Sequence, residues 1–139
     1  MNRSKLNQSF LGAYIKLDKV CADKLDAKYG VTEYINKLTD ARLAPERDDV
    51  LKRLIKYRKI RNKLAHEPDA MEKLDEASRD DVKWLEKFER RASCGKDPLS
   101  KYLKRAGSSD KRRALVRTLA LAGAALVAIL VIILIFKVF

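Results

Sequence analysis

The feature that most constrains this chain is an uncharged run near its C-terminal end. The run begins at Thr118, ends at Phe136 and reads TLALAGAALVAILVIILIF, 19 residues without a charged side chain. As an α-helix it would be about 28 Å long, close to the roughly 30 Å hydrocarbon core of a bilayer. It is apolar on every side, and a domain this small could not enclose such a helix. The sequence therefore predicts one C-terminal transmembrane helix that anchors the protein by its tail.

The charges that flank this run predict its orientation. Lys137 is the one cation that follows the run, and Asp110 is the one acid in the basic stretch before it. The preceding cations are Lys101, Lys104, Arg105, Lys111, Arg112, Arg113 and Arg117. The positive-inside rule then places the N-terminal domain in the cytoplasm. The basic stretch is typical of the lipid-headgroup contact of an anchor, and it could alternatively extend a nucleic-acid surface.

Upstream of the anchor, apolar residues recur at helical spacing and no stretch alternates like a strand. We expect a first helix over residues 4–29 with Gly30 as its stop, and a short second helix capped by Thr32. A third helix starts near Pro45, and a fourth opens at Ser78 and is ended by Gly95. A short fifth helix starts at Asp97-Pro98, runs through Lys104 and is ended by Gly107. The fold class is therefore all-α, a four- or five-helix bundle followed by a single C-terminal transmembrane helix.

The same pattern divides the chain into three parts. Residues 1–106 form the cytoplasmic helical bundle, residues 107–113 a basic linker, and residues 114–139 the transmembrane tail anchor. The length allows one folded domain beside the anchor. The single histidine and the two scattered cysteines, Cys21 and Cys94, cannot supply a zinc ligand set, so we expect no metal and no cofactor.

The third helix carries the most specific motif, RKIRNKLAHEP over residues 58–68. Arg61 falls on the apolar face of this helix, where an always-charged guanidinium is costly unless it has a partner or lines a cleft. Pro68 disfavours helical backbone at Glu67, so the helix should end near His66. On a straight helix Arg61 and His66 point about 140° apart. They can converge only if the last turn loosens or a second copy of the helix completes the site.

The third helix is also strongly basic, in a chain whose net charge is +12. No acid occurs between Lys52 and His66. Solvated helix faces usually mix both signs of charge, although a solvated face stays an alternative here. A basic balance favours nucleic acid or anionic lipid as the partner. The RNA-binding candidates are Lys52, Arg53, Lys56, Arg58, Lys59 and Lys63.

Arg61, Asn62 and His66 resemble the R-polar-x3-H motif of the HEPN (higher eukaryote and prokaryote nucleotide-binding) domains, over roughly residues 4–92. The resemblance implies a small helical bundle, a homodimer, and a metal-independent ribonuclease site in the cleft between two protomers. HEPN proteins that serve as antitoxin substrates carry a tyrosine two residues after the histidine. Pro68 stands there in this chain, which disfavours that subgroup.

The resemblance implies Arg61, Asn62 and His66 as catalytic residues of a membrane-anchored endoribonuclease, consistent with a toxin or a defence protein. His66 would act as the acid or base, Arg61 would stabilise the phosphoryl charge, and Asn62 would orient the phosphate. The alternative is a non-catalytic, membrane-tethered interaction or RNA-binding module. In that case His66 would be a favourable helix-end residue. A holin-like pore is a more distant alternative.

Overall fold

The computed structural model describes the backbone of residues 2–138 and the side chains of residues 2–109 and 111–119. Within that part the chain is all-α, and no described residue lies in a strand. Two compact units are present, Met1–Tyr102 and Leu103–Phe139. The helices are α1 (Arg3–Leu25), α2 (Gly30–Asp40), α3 (Arg47–His66), α4 (Ala70–Lys73), α5 (Arg79–Ser93) and α6 (Pro98–Val138).

Helix α1 organises the first unit, because it packs against α2, α3, α4 and α5. Its buried stripe includes Phe10, Tyr14, Leu17 and Cys21, spaced four, three and four residues apart. This spacing places the side chains on one face of the helix. The predicted amphipathic first helix is confirmed, with one face sealed by its neighbours.

Aromatic rings link the helices through the core. Tyr57 of α3 meets Phe10 edge-on at 5.6 Å between ring centroids and Trp84 at 5.4 Å. Trp84 stacks on Phe88 at 4.8 Å, and Phe88 meets Tyr34 of α2 edge-on at 5.6 Å. These geometries are the ones that aromatic quadrupoles favour. The chain of rings fixes α3 against α1 and α5, and so holds the basic helix in place.

Several predicted helix ends are confirmed where the signal is local. The Ser78 side chain accepts a hydrogen bond from the Asp81 N–H, and the Asp81 carboxylate accepts one from the Ser78 N–H. This reciprocal pair is a capping box, and α5 begins directly after it. Gly95 has a φ of 63°, the left-handed backbone that follows a helix end. Helix α3 ends at His66, as Pro68 predicted.

The predicted join between the first two helices is wrong. Helix α1 ends at Leu25, where Asp26 turns left-handed, and Thr32 lies inside α2 instead of capping it. The Asp18 carboxylate of α1 accepts a hydrogen bond from the Val31 N–H at 2.8 Å. It thereby satisfies a backbone donor in the first turn of α2, the role that was expected of Thr32. Gly30 is needed for packing, because a Cβ there would lie 1.9 Å from the Asp18 carbonyl oxygen.

A buried polar cluster, here the Asp97 cluster, fixes the first turn of α6. Asp97 is fully buried and accepts hydrogen bonds from Lys24 Nζ at 2.5 Å and from the Tyr34 hydroxyl at 2.8 Å. Ser100 donates to it twice, through its hydroxyl at 2.6 Å and its backbone N–H at 3.1 Å. The four donors satisfy the carboxylate, which a buried charge requires. The cluster joins α1, α2 and the start of α6.

The predicted helix end at Gly107 is also wrong, since α6 continues through it. A glycine stop needs left-handed backbone, and Gly107 is not among the glycines with positive φ. Lys104, Arg105 and Ala106, which directly precede it, are good helix formers. The cost of about 1 kcal/mol for one glycine inside a helix is therefore tolerated.

Residues 120–139, most of the predicted anchor, lie outside the part of the chain whose side chains are described. Over the stretches whose side chains are described, a search for a helix long and apolar enough to cross a bilayer finds none.

Candidate functional site

Helix α3 and the face of α1 beside it enclose an open cleft of about 340 Å³. We name it the Arg61 cleft. Because α1 and α3 pack on each other through their buried stripes, the polar edges of both helices meet there. The side chains that line it are Tyr14, Ile15, Asp18, Tyr29, Thr32, Arg58, Arg61 and Asn62.

Arg61 lies half-buried on the wall of this cleft, which resolves its costly position on the apolar face. Its Nη1 donates to Asn62 Oδ1 at 3.2 Å, and no described acid pairs with it. Arg58, one turn earlier and also half-buried, has no ion pair or hydrogen bond to a described residue. Two guanidinium groups thus face one cleft with their charge uncompensated by a direct partner, a favourable arrangement for an anion.

Tyr14 contributes a hydroxyl to the same cleft. The residue is only 4% exposed, and its hydroxyl has no hydrogen bond to any described residue. In the described part, Asn7 Oδ1 is the sole buried side-chain oxygen or nitrogen without a partner. The Tyr14 hydroxyl must therefore reach solvent, which it does at the cleft. Burial and the nearby Asp18 raise the pKa of Tyr14, although Arg61 and Arg58 oppose this, so the hydroxyl stays protonated and can donate.

Asp18 is the one carboxylate on the wall of the cleft. Its Oδ1 is engaged by the Val31 N–H at the start of α2. The two arginines and this carboxylate leave the cleft with a net charge of +1. The arrangement favours an anion on the α3 side of the cleft, away from Asp18.

His66 does not line the Arg61 cleft. It is the last residue of α3, it is exposed, and it makes no hydrogen bond or ion pair with a described residue. The last turn of α3 stays helical, so the two side chains remain on different faces. The structure brings Arg61 and Asn62 into one cleft and leaves His66 outside it.

The predicted RNA-binding cations separate into distinct groups. Lys56 pairs with Asp81 at 3.3 Å, and Lys63 pairs with Glu76, so acids from elsewhere in the chain partly neutralise the basic face. The Arg53 guanidinium lies 5.5 Å from the Trp84 ring centroid. Lys52 and Lys59 are exposed and have no partner among the described residues, and Arg58 enters the cleft.

Comparison with protein-family models gives one match. The model described as "Family of unknown function (DUF6548)" matches residues 8–118, which is more than half of the chain. The chain belongs to DUF6548. A search of curated proteins found no match, and a search of solved structures found none either.

The part of the DUF6548 chain that matches the family contains the whole Arg61 cleft and His66. It also contains the basic first half of α6 and reaches the first residue of the uncharged run. The cleft and the basic stretch are therefore both within the segment that the family model describes.

Sequence reasoning missed the α1 side of the cleft in this DUF6548 chain. Tyr14 lies in the buried apolar stripe of α1, but its hydroxyl reaches the cleft. Tyr29 was assigned to the end of the first helix, whereas it belongs to the α1–α2 connection and is 63% exposed. A tyrosine where leucine or phenylalanine would pack equally well was the one available signal.

Proposed function

We propose that the DUF6548 chain is a membrane-anchored, metal-independent endoribonuclease with a HEPN-like site. The observation that supports this most is the Arg61–Asn62 pair, which lines an open cleft without an acidic partner among the described residues. An arginine retained on a half-buried surface without a carboxylate is well suited to bind a phosphate with two parallel hydrogen bonds. Arg58 adds a second positive charge to the same cleft.

In the proposed reaction a phosphodiester lies in the cleft and His66 transfers protons. The imidazole takes the proton of the ribose 2′-hydroxyl, or gives one to the leaving 5′-oxygen. The 2′-oxygen attacks the phosphorus, the bond to the 5′-oxygen breaks, and the products are a 2′,3′-cyclic phosphate and a 5′-hydroxyl. Arg61 stabilises the charge that builds up on the phosphoryl oxygens, and Asn62 orients the phosphate.

The position of His66 makes this a two-protomer proposal. Within one chain His66 lies outside the Arg61 cleft, so a single protomer offers the arginine and the histidine on different faces. A homodimer that crosses near the ends of two α3 helices would bring His66 of one copy to Arg61 of the other. The exposure of His66 is consistent with such a role.

The membrane anchor is part of the same proposal. In the described part of α6, Leu115, Val116 and Leu119 are exposed large apolar side chains on a helix that also carries exposed Arg113 and Arg117. This composition is typical of the approach to a bilayer. We propose that residues 118–136 span the membrane and that the bundle lies in the cytoplasm.

A truncation tests the anchor. Ending the chain after Arg113 should move the protein from the membrane pellet to the soluble fraction, because the apolar run is gone. The full chain washed with high salt is the control, since salt releases purely electrostatic attachment. The anchor is wrong if the truncated chain still pellets after the same wash.

A cleavage assay tests the enzyme. The full chain should cut single-stranded RNA, leave 2′,3′-cyclic phosphate ends and remain active in EDTA, because the proposed steps use only proton transfer and guanidinium charge. His66→Ala should abolish cleavage without changing the melting temperature, since the exposed imidazole packs against little. Arg61→Ala should reduce cleavage on the order of 100-fold, the scale expected for one preorganised donor.

The second candidate is a non-catalytic RNA-binding or interaction module. It is favoured by one specific observation, that His66 does not share the cleft with Arg61 in a single chain. If this candidate is correct, the chain should bind RNA but cut none across a broad panel of substrates. The His66→Ala variant should then bind RNA as tightly as the wild type. Sedimentation separates the candidates further, because a strict monomer cannot form the composite site.

A further inference from the structure

The Arg61 cleft carries groups that the proposed cleavage reaction does not use. Besides the two arginines, the buried Tyr14 presents a hydroxyl without a described partner, and the exposed Tyr29 also lines the cleft. Ile15 beside them is also exposed. An apolar and aromatic edge next to paired guanidinium groups is the combination that single-stranded nucleic-acid sites use.

We propose that the Arg61 cleft binds unpaired RNA, with one phosphate held by Arg58, Arg61 and the Tyr14 hydroxyl and the adjacent base stacked on Tyr29. The inference deepens the proposed function by naming its substrate class, and it rests on that function for the role of Arg61 as the phosphate ligand. It adds Tyr14 and Tyr29 as binding residues from α1 and the α1–α2 connection.

The Tyr14 hydroxyl is the strongest support. A tyrosine that is 96% buried normally finds a partner for its hydroxyl, because an unmade hydrogen bond is costly. Tyr34 and Tyr57 in the same core donate to Asp97 and Asp81, each at 2.8 Å. Tyr14 alone of the three points its hydroxyl into an open cleft beside two guanidinium groups. A phosphate bound in the cleft would offer its oxygens to these three donors.

Tyr29 supplies the reason to choose a nucleic acid over another phosphodiester such as a lipid headgroup. The residue is 63% exposed, and Lys28 Nζ lies 5.3 Å from its ring centroid. A base can stack on such a ring irrespective of its identity, whereas a headgroup has no flat face to offer. Lys28 beside the ring adds attraction for the backbone.

The size of the cleft favours unpaired RNA over a duplex. At about 340 Å³ it lies at the lower end of small-ligand sites, which suits one nucleotide. In an A-form duplex the base faces are covered by their stacked neighbours, so a paired base cannot reach Tyr29. Asp18 on the α1 wall repels a second phosphate and thereby directs the backbone along α3.

The test measures binding separately from cleavage. The full chain is titrated against a fluorescent 2′-O-methyl RNA of about ten nucleotides, which cannot be cut because its 2′-oxygen is blocked. Tyr14→Phe removes only the hydroxyl, and Tyr29→Ala removes only the ring. Each should weaken binding about tenfold, the scale of one hydrogen bond to a charged group or one stacked base.

Matched controls isolate each contribution. Tyr29→Phe keeps the ring and should bind like wild type, and Leu43→Ala removes an apolar side chain that is also exposed, at 85%, and lies outside the cleft. An abasic oligonucleotide of the same length should bind about tenfold more weakly to the wild type and should no longer distinguish Tyr29→Ala. The inference is overturned if Tyr14→Phe and Tyr29→Ala both bind like wild type. The RNA assignment is overturned if the abasic strand binds as tightly as the base-bearing one.

The proposed function fails in a different way. If the wild type cuts no RNA, and Tyr14→Phe and Tyr29→Ala both bind RNA more weakly than the wild type, the cleft is a binding site in a non-catalytic module. If cleavage occurs and depends on His66 while both tyrosine variants bind and cut like wild type, the enzyme stands and this subsite is wrong.

Discussion

The Asp97 cluster and the Arg61 cleft are built from similar groups but are completed differently. In the cluster a tyrosine hydroxyl, a lysine and a serine all converge on a carboxylate that is fully buried. In the cleft the Tyr14 hydroxyl, Arg58 and Arg61 face solvent, and the nearby carboxylate of Asp18 is turned to the start of α2. One assembly is closed, and the other is open.

The difference teaches which polar groups serve the fold and which are left available. A buried carboxylate with four donors contributes to stability and restrains the first turn of α6, because its oxygens are hydrogen-bonded. Unpartnered donors at a cleft stabilise the fold little, and they are kept where a ligand completes them. The contrast predicts that substitutions in the Asp97 cluster lower the stability of the fold, whereas substitutions in the Arg61 cleft lower the affinity for RNA.

The largest expected effect on stability comes from Asp97→Ala. The substitution leaves Lys24, Tyr34 and Ser100 without their acceptor in the core, so the free energy of unfolding should fall by about 3 kcal/mol. Urea denaturation of the full chain measures this, with the exposed Asp23→Ala as the matched control. A loss below about 0.5 kcal/mol, the range of an ordinary surface change, would mean that the cluster does not hold the fold.

The pH dependence of stability should show the same contrast. Burial alone would raise the pKa of Asp97, but hydrogen bonds from Lys24, Ser100 and Tyr34 hold it below its usual range. A carboxyl whose pKa is lower in the folded state stabilises the protein above its unfolded pKa of about 3.9 and loses that contribution as pH falls through the folded value. Stability should therefore fall on acidification below about pH 4, and less steeply in Asp97→Ala.

Two tyrosine-to-phenylalanine changes give the next largest effect and compare the regions directly. Tyr34→Phe removes a donor to Asp97 and should cost about 1 to 2 kcal/mol of stability without changing RNA affinity. Tyr14→Phe removes a hydroxyl that has no described partner, so stability should stay within about 0.5 kcal/mol while RNA affinity falls. If both variants lose the same stability, the Tyr14 hydroxyl serves the fold as the Tyr34 hydroxyl does. The contrast between the Asp97 cluster and the Arg61 cleft then fails.

Local signals made part of this fold predictable from the sequence. Ser78 and Asp81 lie three residues apart, so their capping box could be read directly, and Pro68 marked the end of α3. The buried stripe of α1 followed from its spacing. The all-α class rests on these local regularities, because helix hydrogen bonds and side-chain faces depend on near neighbours.

The remaining features depend on residues far apart in the sequence. Lys56 meets Asp81 25 positions later, and Lys63 meets Glu76 across the short α4 segment. The basic run contains no acid in the sequence between Lys52 and His66. In the folded chain, however, acids from other segments partly neutralise it. The cleft needed the same information, since Tyr14 and Arg61 meet only through the packing of α1 on α3. Gly30, an expected stop signal, proved to be a point of close helix contact.

The smallest expected effect separates two lysines of the basic helix. Lys59 is exposed without a described partner, whereas Lys56 is held at 3.3 Å by both oxygens of Asp81. A free cation that contacts a phosphate releases a counterion, and a compensated one releases less. The plot of log affinity against log salt has a negative slope. Lys59→Ala should make that slope shallower by about 0.7, the value for one phosphate contact with a single strand. Lys56→Ala should make it shallower by less than half as much, and Lys87→Ala on α5 serves as the control. Equal slopes for Lys56→Ala and Lys59→Ala would show that Asp81 gives up Lys56 when RNA binds. The Lys56–Asp81 ion pair would then exist only in the protein without RNA.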